Sequence, residues 1–111
     1  MHSENDNILD AIKKIFQSKA RLGIMTVLVS EGESDFSNLK SRLDLTDGNL
    51  SSHLRKLEEA KYLEVEKKFV DRKPRTLYRP TDKGRKEFKR HLEQLKEVID
   101  LVEKEEKPND K

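Results

Sequence analysis

Two neighbouring stretches of this sequence carry side chains whose types and spacing suit contact with a polyanion. The first covers residues 46–60 and reads TDGNLSSHLRKLEEA. Leu50, Leu54 and Leu57 recur at steps of four and three, which predicts a helix with one apolar face. The opposite face of that helix then carries Gly48, Asn49, Ser52, Arg55 and Lys56.

Such a helix face fits the major groove of duplex DNA. Small residues let the backbone approach, amides and hydroxyls bond to base edges, and cations contact phosphates or guanine. Gly48 otherwise costs up to about 1 kcal/mol relative to alanine within a helix. The simpler alternative is that Thr46 caps an ordinary surface helix whose outer face is polar because water surrounds it. This helix alone leaves both interpretations open.

A concentration of positive charge follows the helix. Residues 67–90 carry 11 basic and 3 acidic side chains, whereas the formal net charge of the whole chain is only +2. Local excess of one sign favours a polyanion partner over a merely soluble surface. Charges that protect a sheet edge from aggregation are the alternative. Five of the cations belong to a predicted β-hairpin: Lys67, Lys68, Arg72, Lys73 and Arg75.

The helical part of the chain must position these groups. Apolar spacing predicts an amphipathic helix over residues 8–16, then a buried helix from its cap Ser18 to about Ser30. A short third helix begins at Ser34 or Asp35. It is joined by a brief turn to the helix of residues 46–60, and such a pair makes a helix-turn-helix.

The remaining elements are a hairpin and a long helix. Strand-like residues 62–69 and 76–79 flank a turn at residues 71–74, where Asp71 either orients a hairpin arginine or simply forms the turn. Thr81 caps a last helix over residues 82–105. We therefore predict a mainly α fold with a small β-hairpin (α+β), one domain over residues 8–105, and flexible ends at residues 1–7 and 106–111.

The last helix predicts a dimer. Its apolar residues follow steps of four, three, four and three, a narrow seam like that of a coiled coil, between charged faces. Pairing across a two-fold axis would bury the seam, with help from the first helix. The alternative is that the helix folds back on its own subunit. The predicted dimerisation residues are Ile8, Ile12, Phe16, Phe88, Leu92, Leu95, Ile99 and Val102.

Several classes of function find no support in the sequence. The chain has no cysteine, which excludes disulfides and thiolate chemistry. We find neither a glycine-rich phosphate loop nor a nucleophile beside a base, so we expect no enzyme and no cofactor. His91 stands alone on its helix, which argues against a metal site, and His53 fits a half-buried imidazole or a phosphate contact. Residues 1–7 are polar and no apolar stretch could span a membrane, so we expect a cytoplasmic protein.

The order of these motifs resembles a known family. The segments Leu45-Thr46, residues 49–58 (NLSSHLRKLE), Tyr62-Leu63, Asp71-Arg72 and residues 81–84 (TDKG) are similar to those of winged-helix regulators of the MarR and ArsR type. The likeness is greatest to a short subgroup with little beyond the winged helix and a terminal helix. It covers roughly residues 9–95.

The resemblance implies a winged helix-turn-helix with a long C-terminal dimerisation helix, acting as a homodimer that binds a pseudo-palindromic operator in double-stranded DNA. Asn49, Ser51, Ser52 and Arg55 would then read bases and contact phosphates, in a recognition helix that begins at Thr46. Residues 71–75 would form the wing. This chain has little length for the ligand pocket of larger MarR proteins, and no effector is identified. The alternative from another class is a winged-helix scaffold that binds an acidic protein through the hairpin.

Overall fold

The computed structural model describes residues 14–106, and side chains are described for residues 15–105. A short 3-10 turn at Lys14–Gln17 precedes the regular elements. These are α1 (Lys19–Glu31), β1 (Ser34–Asp35), α2 (Phe36–Leu43), α3 (Asp47–Glu59), β2 (Leu63–Val70), β3 (Lys73–Pro80) and α4 (Asp82–Glu106). The predicted fold class, a winged helix-turn-helix, is confirmed. The helix predicted over residues 8–16, with Ile8 and Ile12, lies largely outside the described residues.

Side-chain caps fix where the first three helices begin. Ser18 Oγ accepts a hydrogen bond from the Arg21 amide at 3.2 Å, and Thr46 Oγ1 accepts one from Asn49 at 3.1 Å. Asp35 Oδ1 caps α2 by accepting from the Asn38 amide at 2.8 Å. Each oxygen satisfies an amide that has no partner within its helix. The caps predicted at Ser18 and Thr46 are confirmed, and α2 starts after the second of the two residues considered.

The sheet contains three antiparallel strands in the order β1-β3-β2. The hairpin of β2 and β3, called the wing below, turns through Asp71 and Arg72 alone, because Val70 pairs with Lys73. Both turn residues have positive φ, 53° and 67°, the backbone that matches the twist of a tight hairpin. The predicted turn over residues 71–74 is therefore wrong: Lys73 and Pro74 lie in β3. Proline is tolerated there because β3 has a neighbour on one side only at that point.

Helix α1 forms the centre of the hydrophobic core. Its residues Ile24, Met25 and Leu28 are fully buried, against apolar side chains from the other elements. The core also takes in Phe16 and Phe88, whose rings lie 6.0 Å apart. The expectation that Phe16 and Phe88 lie on a seam open to a second subunit is wrong, because each ring fills space within its own subunit.

The start of α4 is joined tightly to the chain that follows α3. The Thr81 amide donates to the Tyr62 carbonyl at 3.0 Å, and its hydroxyl donates to the Lys61 carbonyl at 2.6 Å. The same hydroxyl accepts from the Gly84 amide at 2.9 Å, which makes Thr81 the predicted cap. No helix within residues 14–106 is long and apolar enough to cross a bilayer.

Candidate nucleic-acid interface

Helix α3 and the wing form the two walls of one open cleft. Its volume is about 550 Å³. Ser51 and Arg55 face it from α3, and Lys67 and Thr76 face it from the wing, while Leu54 and Val65 lie at its floor. The two stretches that the sequence singled out thus border the same opening.

The outer face of α3 is polar and accessible along its whole length. Leu50, Leu54 and Leu57 are buried, as the spacing predicts. Gly48 has no neighbouring atom within 4 Å of the place a side chain would take, and its φ is not in the left-handed region. The fold therefore does not require a glycine there. The predicted contact residues of α3 are all exposed: Thr46, Gly48, Asn49, Ser51, Ser52, Arg55 and Lys56.

Two polar side chains at the start of α3 already have partners. The Thr46 hydroxyl caps the helix, and the Asp47 carboxylate forms an ion pair with Lys40 Nζ at 2.8 Å. The ion pair joins α2 to α3 across the helix-turn-helix. It also reduces the negative charge at the N-terminus of α3, where the first backbone amides would attract a phosphate.

His53 lies half-buried at the flank of α3 and faces α1. Arg21 Nη1 donates to its Nδ1 at 3.2 Å, and Arg21 Nε donates to the Ile15 carbonyl at 2.7 Å. Burial, with Arg21 and Lys56 nearby, lowers the pKa of His53, which keeps the imidazole neutral and able to accept this bond. The half-buried role predicted for His53 fits this contact.

The wing carries its free cations at the tip and along its edge. Arg72, Lys73 and Arg75 are exposed, and so are Lys67 and Lys68. Arg75 Nη2 lies 3.2 Å from Asp35 Oδ2, so part of its charge is balanced by the residue that caps α2. The carboxylate beside Arg75 is thus Asp35, whereas Asp71 occupies the turn.

Arg79 differs from the exposed cations of the wing because carboxylates within the protein engage its guanidinium. Its guanidinium pairs with Glu66 on the neighbouring strand and lies 3.2 Å from Glu33. The Glu66 carboxylate in turn raises the pKa of Arg79, and the Arg79 hydrogen bond lowers the pKa of Glu66. This cation contributes to the charge of residues 67–90 but serves to hold the sheet together.

His91 is a structural residue of the core. Its ring stacks on Phe16 with centroids 4.9 Å apart, and burial lowers its pKa. Nδ1 is buried and lacks a hydrogen-bond partner. Within residues 14–106 there is no grouping of histidine, aspartate and glutamate suited to hold a metal ion.

From Leu92 onward, α4 exposes apolar side chains. Leu92, Ile99 and Val102 of the predicted seam are 45%, 53% and 49% exposed, and Leu95 is half-buried. Leu101, which the spacing did not single out, is 54% exposed. The helix thus divides into a first part, up to His91, that packs on its own subunit and a second part, from Leu92, that exposes apolar side chains.

A family of winged helix DNA-binding domains matches residues 20–99. This chain belongs to the winged-helix DNA-binding family. The match spans the helix-turn-helix, the wing and most of α4, so the resemblance stated from the sequence is confirmed.

Two archaeal proteins are similar to this winged-helix protein over nearly their whole length. A transcriptional regulator homologue from Pyrococcus horikoshii OT3 is 40% identical, with a TM-score of 0.79, over 91% of this chain and 98% of that one. An uncharacterised protein of Methanocaldococcus jannaschii is 37% identical over 90 residues, 81% of this chain and 98% of the relative. The chain is thus similar to a transcriptional regulator homologue in both sequence and fold.

More distant structures share the fold alone. The PcaV transcriptional regulator from Streptomyces coelicolor, solved with its natural ligand, is 16% identical with a TM-score of 0.69, over 91% of this chain and 70% of that one. This likeness shows that the two chains share a fold.

Three features of the interface were not predicted from the sequence. Tyr78 and Thr76 line the cleft because β3 presents alternate residues to α3, which only the strand register determines. Asp35 reaches Arg75 because β1 pairs with β3, and a strand of two residues leaves no alternation to detect. Phe69 projects into solvent, 75% exposed, which its place in the predicted strand-like run does not reveal.

Proposed function

We propose that this protein is a dimeric transcriptional regulator that binds double-stranded DNA sequence-specifically. In this proposal α3 enters the major groove, where Asn49, Ser51, Ser52 and Arg55 meet base edges and phosphates. The wing, through Arg72, Lys73 and Arg75, contacts the flanking backbone or the minor groove. The observation that carries the proposal is the shared cleft, since a duplex lying against α3 would also meet the wing.

Electrostatics supports the same orientation. Arg55 lies exposed on the α3 wall of the cleft, Lys67 lies exposed on the wing wall, and Arg72 lies exposed at the tip of the wing. Cations spread over both walls match the two phosphate backbones that border a groove. The first turn of α3 adds its amide groups, which favour a nearby phosphate.

The part of α4 from Leu92 onward supports the dimer. Leu92, Ile99 and Val102 share the spacing of a coiled-coil seam and are about half exposed. Burying a fully exposed side chain of this kind is worth about 1.5–3 kcal/mol, and the half of each one that is still exposed favours pairing with the same helix of a second copy. A two-fold dimer would place two α3 helices about 34 Å apart, for successive major grooves of a pseudo-palindromic operator.

Selection of bound duplexes from a random pool tests the specificity. We expect an inverted repeat whose half-sites lie about one helical turn apart. Enrichment of no sequence would contradict specific binding, and an unrepeated motif would contradict the two-fold arrangement. Sedimentation tests the dimer separately, because a mass near the 13.0 kDa of one chain at micromolar concentration would exclude it.

The alternative partner is an acidic protein bound through the wing. The exposed face of α3 argues against it, because Gly48, Ser51 and Ser52 offer no apolar anchor of the kind that dominates protein interfaces. The selection experiment separates the two, since a scaffold of that kind would enrich no duplex.

A further inference from the structure

Phe69 is an exposed aromatic residue in a part of the molecule that is otherwise charged. Its side chain is 75% exposed, more than any other large apolar residue among those described. The other exposed ones, Leu92, Ile99, Leu101 and Val102, all lie in α4 from Leu92 onward. Phe69 therefore does not belong to the proposed dimer seam.

Strand pairing shows which face of the wing Phe69 occupies. It lies opposite Pro74, and Lys67 lies opposite Thr76, two positions along the same strands. Alternate residues of a strand share a face, and directly opposite residues of antiparallel strands do so too. Lys67 and Thr76 line the cleft with α3. Phe69 and Pro74, called the apolar tip below, thus continue the cleft wall to the end of the wing.

Cations surround the apolar tip. Lys67 shares the face of Phe69 and Arg72 lies in the turn, while Lys68 and Lys73 lie beside them on the opposite face of the wing, and all four are exposed. Any partner that binds the Phe69 ring must therefore also accommodate several positive charges beside it. Protein surfaces rarely offer both an apolar slot and phosphate-like charge on its two sides, whereas the minor groove of DNA has apolar deoxyribose walls beneath two rows of phosphates.

We propose that the apolar tip is a minor-groove contact, in which the Phe69 ring rests against deoxyribose and base edges while Arg72 and Lys73 meet the flanking phosphates. This rests on the proposed function, since the duplex must first lie against α3. The minor groove would be the binding partner of Phe69, whose exposure the charge pattern does not explain. Apolar residues that enter the minor groove widen it or loosen the stacking of a base step.

A salt series separates this contact from the ionic ones. Log affinity falls linearly with log salt, with a slope set by the number of phosphates neutralised. Phe69→Ala is expected to weaken duplex binding by about 10-fold at every salt concentration and to leave the slope unchanged, as loss of a buried apolar ring should. Phe69→Leu should recover most of the affinity. Arg72→Ala, in contrast, should reduce the slope by about 1.

Photocrosslinking locates the ring directly. Phe69→p-benzoylphenylalanine should attach to a bound duplex, and the same probe in place of Leu101, which is also exposed but lies on α4, should not. Netropsin, which occupies the minor groove, should suppress the crosslink. A crosslink that netropsin leaves intact would contradict a minor-groove position.

The outcomes distinguish this inference from the proposed function. Unchanged duplex affinity of Phe69→Ala, with full binding by the unaltered chain, would overturn the inference alone. A crosslink to a second protein chain, or a lower sedimentation mass for Phe69→Ala, would assign the apolar tip to self-association instead. Failure of the unaltered chain to bind any duplex would defeat both. Because Phe69 makes little core contact, the melting temperature of Phe69→Ala should match that of the unaltered chain.

Discussion

The backbone of Gly84 lies directly against the carbonyl group of Tyr62. A Cβ atom at residue 84 would overlap the Tyr62 carbonyl oxygen and lie 2.9 Å from its carbon. That oxygen also accepts the Thr81 amide, so it cannot move away without loss of a hydrogen bond. The contact fixes the angle at which α4 leaves the DNA-binding unit.

Gly84→Ala should therefore destabilise the protein. We expect the free energy of unfolding to fall by about 2 kcal/mol or more, the cost of forcing a methyl group into filled space. Urea denaturation measures the change. Gly48→Ala is the matched control, because the site at residue 48 is open. Equal effects of the two substitutions would contradict this account of Gly84.

Gly48→Ala should separate stability from DNA binding. Alanine favours a helix over glycine by up to about 1 kcal/mol, so the unfolding free energy should rise. The added methyl group would stand on the face of α3 proposed to enter the major groove, and affinity for the selected operator should fall. Titration of a labelled duplex checks the second part, and an affinity equal to that of the unaltered chain would remove Gly48 from the interface.

Asp35→Asn should strengthen DNA binding. Asparagine retains an oxygen that can accept from the Asn38 amide, so α2 remains capped. The substitution removes the negative charge 3.2 Å from Arg75 and leaves that guanidinium free for a phosphate. We expect affinity to rise a few-fold at low salt and the gain to shrink as salt increases. A gain that persists at high salt would point to a cause other than charge.

Substitutions in the wing should reduce the affinity for all duplexes, whereas substitutions in α3 should reduce sequence discrimination. Arg72→Ala should weaken binding to operator and random duplexes by a similar factor, because a phosphate contact carries no sequence information. Asn49→Ala or Ser52→Ala should cost about 1–3 kcal/mol of discrimination against altered base pairs. Competition between the two duplexes measures the ratio. If the α3 variants lost both affinities equally, α3 would not be the reading element.

His91 should make stability depend on pH. Burial lowers its pKa below the usual value of 6.5, so the unfolded chain binds a proton more readily than the folded one. The free energy of unfolding should fall as pH drops below that value and level off once the folded imidazole is also protonated. His91→Phe keeps a ring against Phe16 and should flatten this dependence. His53 acts in the same direction and would account for the slope that remains.

Much of the helical fold follows from local sequence signals. Ser18 and Thr46 begin helices because each supplies an oxygen to an amide three residues on, which is a property of a few neighbouring residues. The spacing of Leu50, Leu54 and Leu57 likewise predicts the buried face of α3, and so its exposed face. These signals were sufficient to place the polar face next to a basic hairpin.

Pairing between distant residues was not predictable in this way. The charge of residues 67–90 counts Arg79 with Arg72, yet Glu33 and Glu66 engage Arg79, and only the sheet brings them together. The steps along α4 treat Phe88 and Ile99 as equivalent, yet the core reaches only the first of them. Phe69 and Val65 both belong to the predicted strand-like run, but Val65 packs against the core and Phe69 is exposed.

The turn at Asp71 and Arg72 has only two residues, so the strands of the wing are paired up to its tip. Eight residues in each strand, at about 3.3 Å per residue, give it a fixed reach of about 26 Å. Base pairs of a duplex rise about 3.4 Å each. The length of the wing would therefore set the distance along the duplex between the contact made by α3 and the contact made by the wing tip. Lengthening both strands by two residues would move the wing-tip contact by about two base pairs. Because side chains alternate between the two faces of a strand, an insertion of two residues leaves every existing side chain on its own face. The length of DNA covered can therefore change in evolution while the contacting residues stay the same.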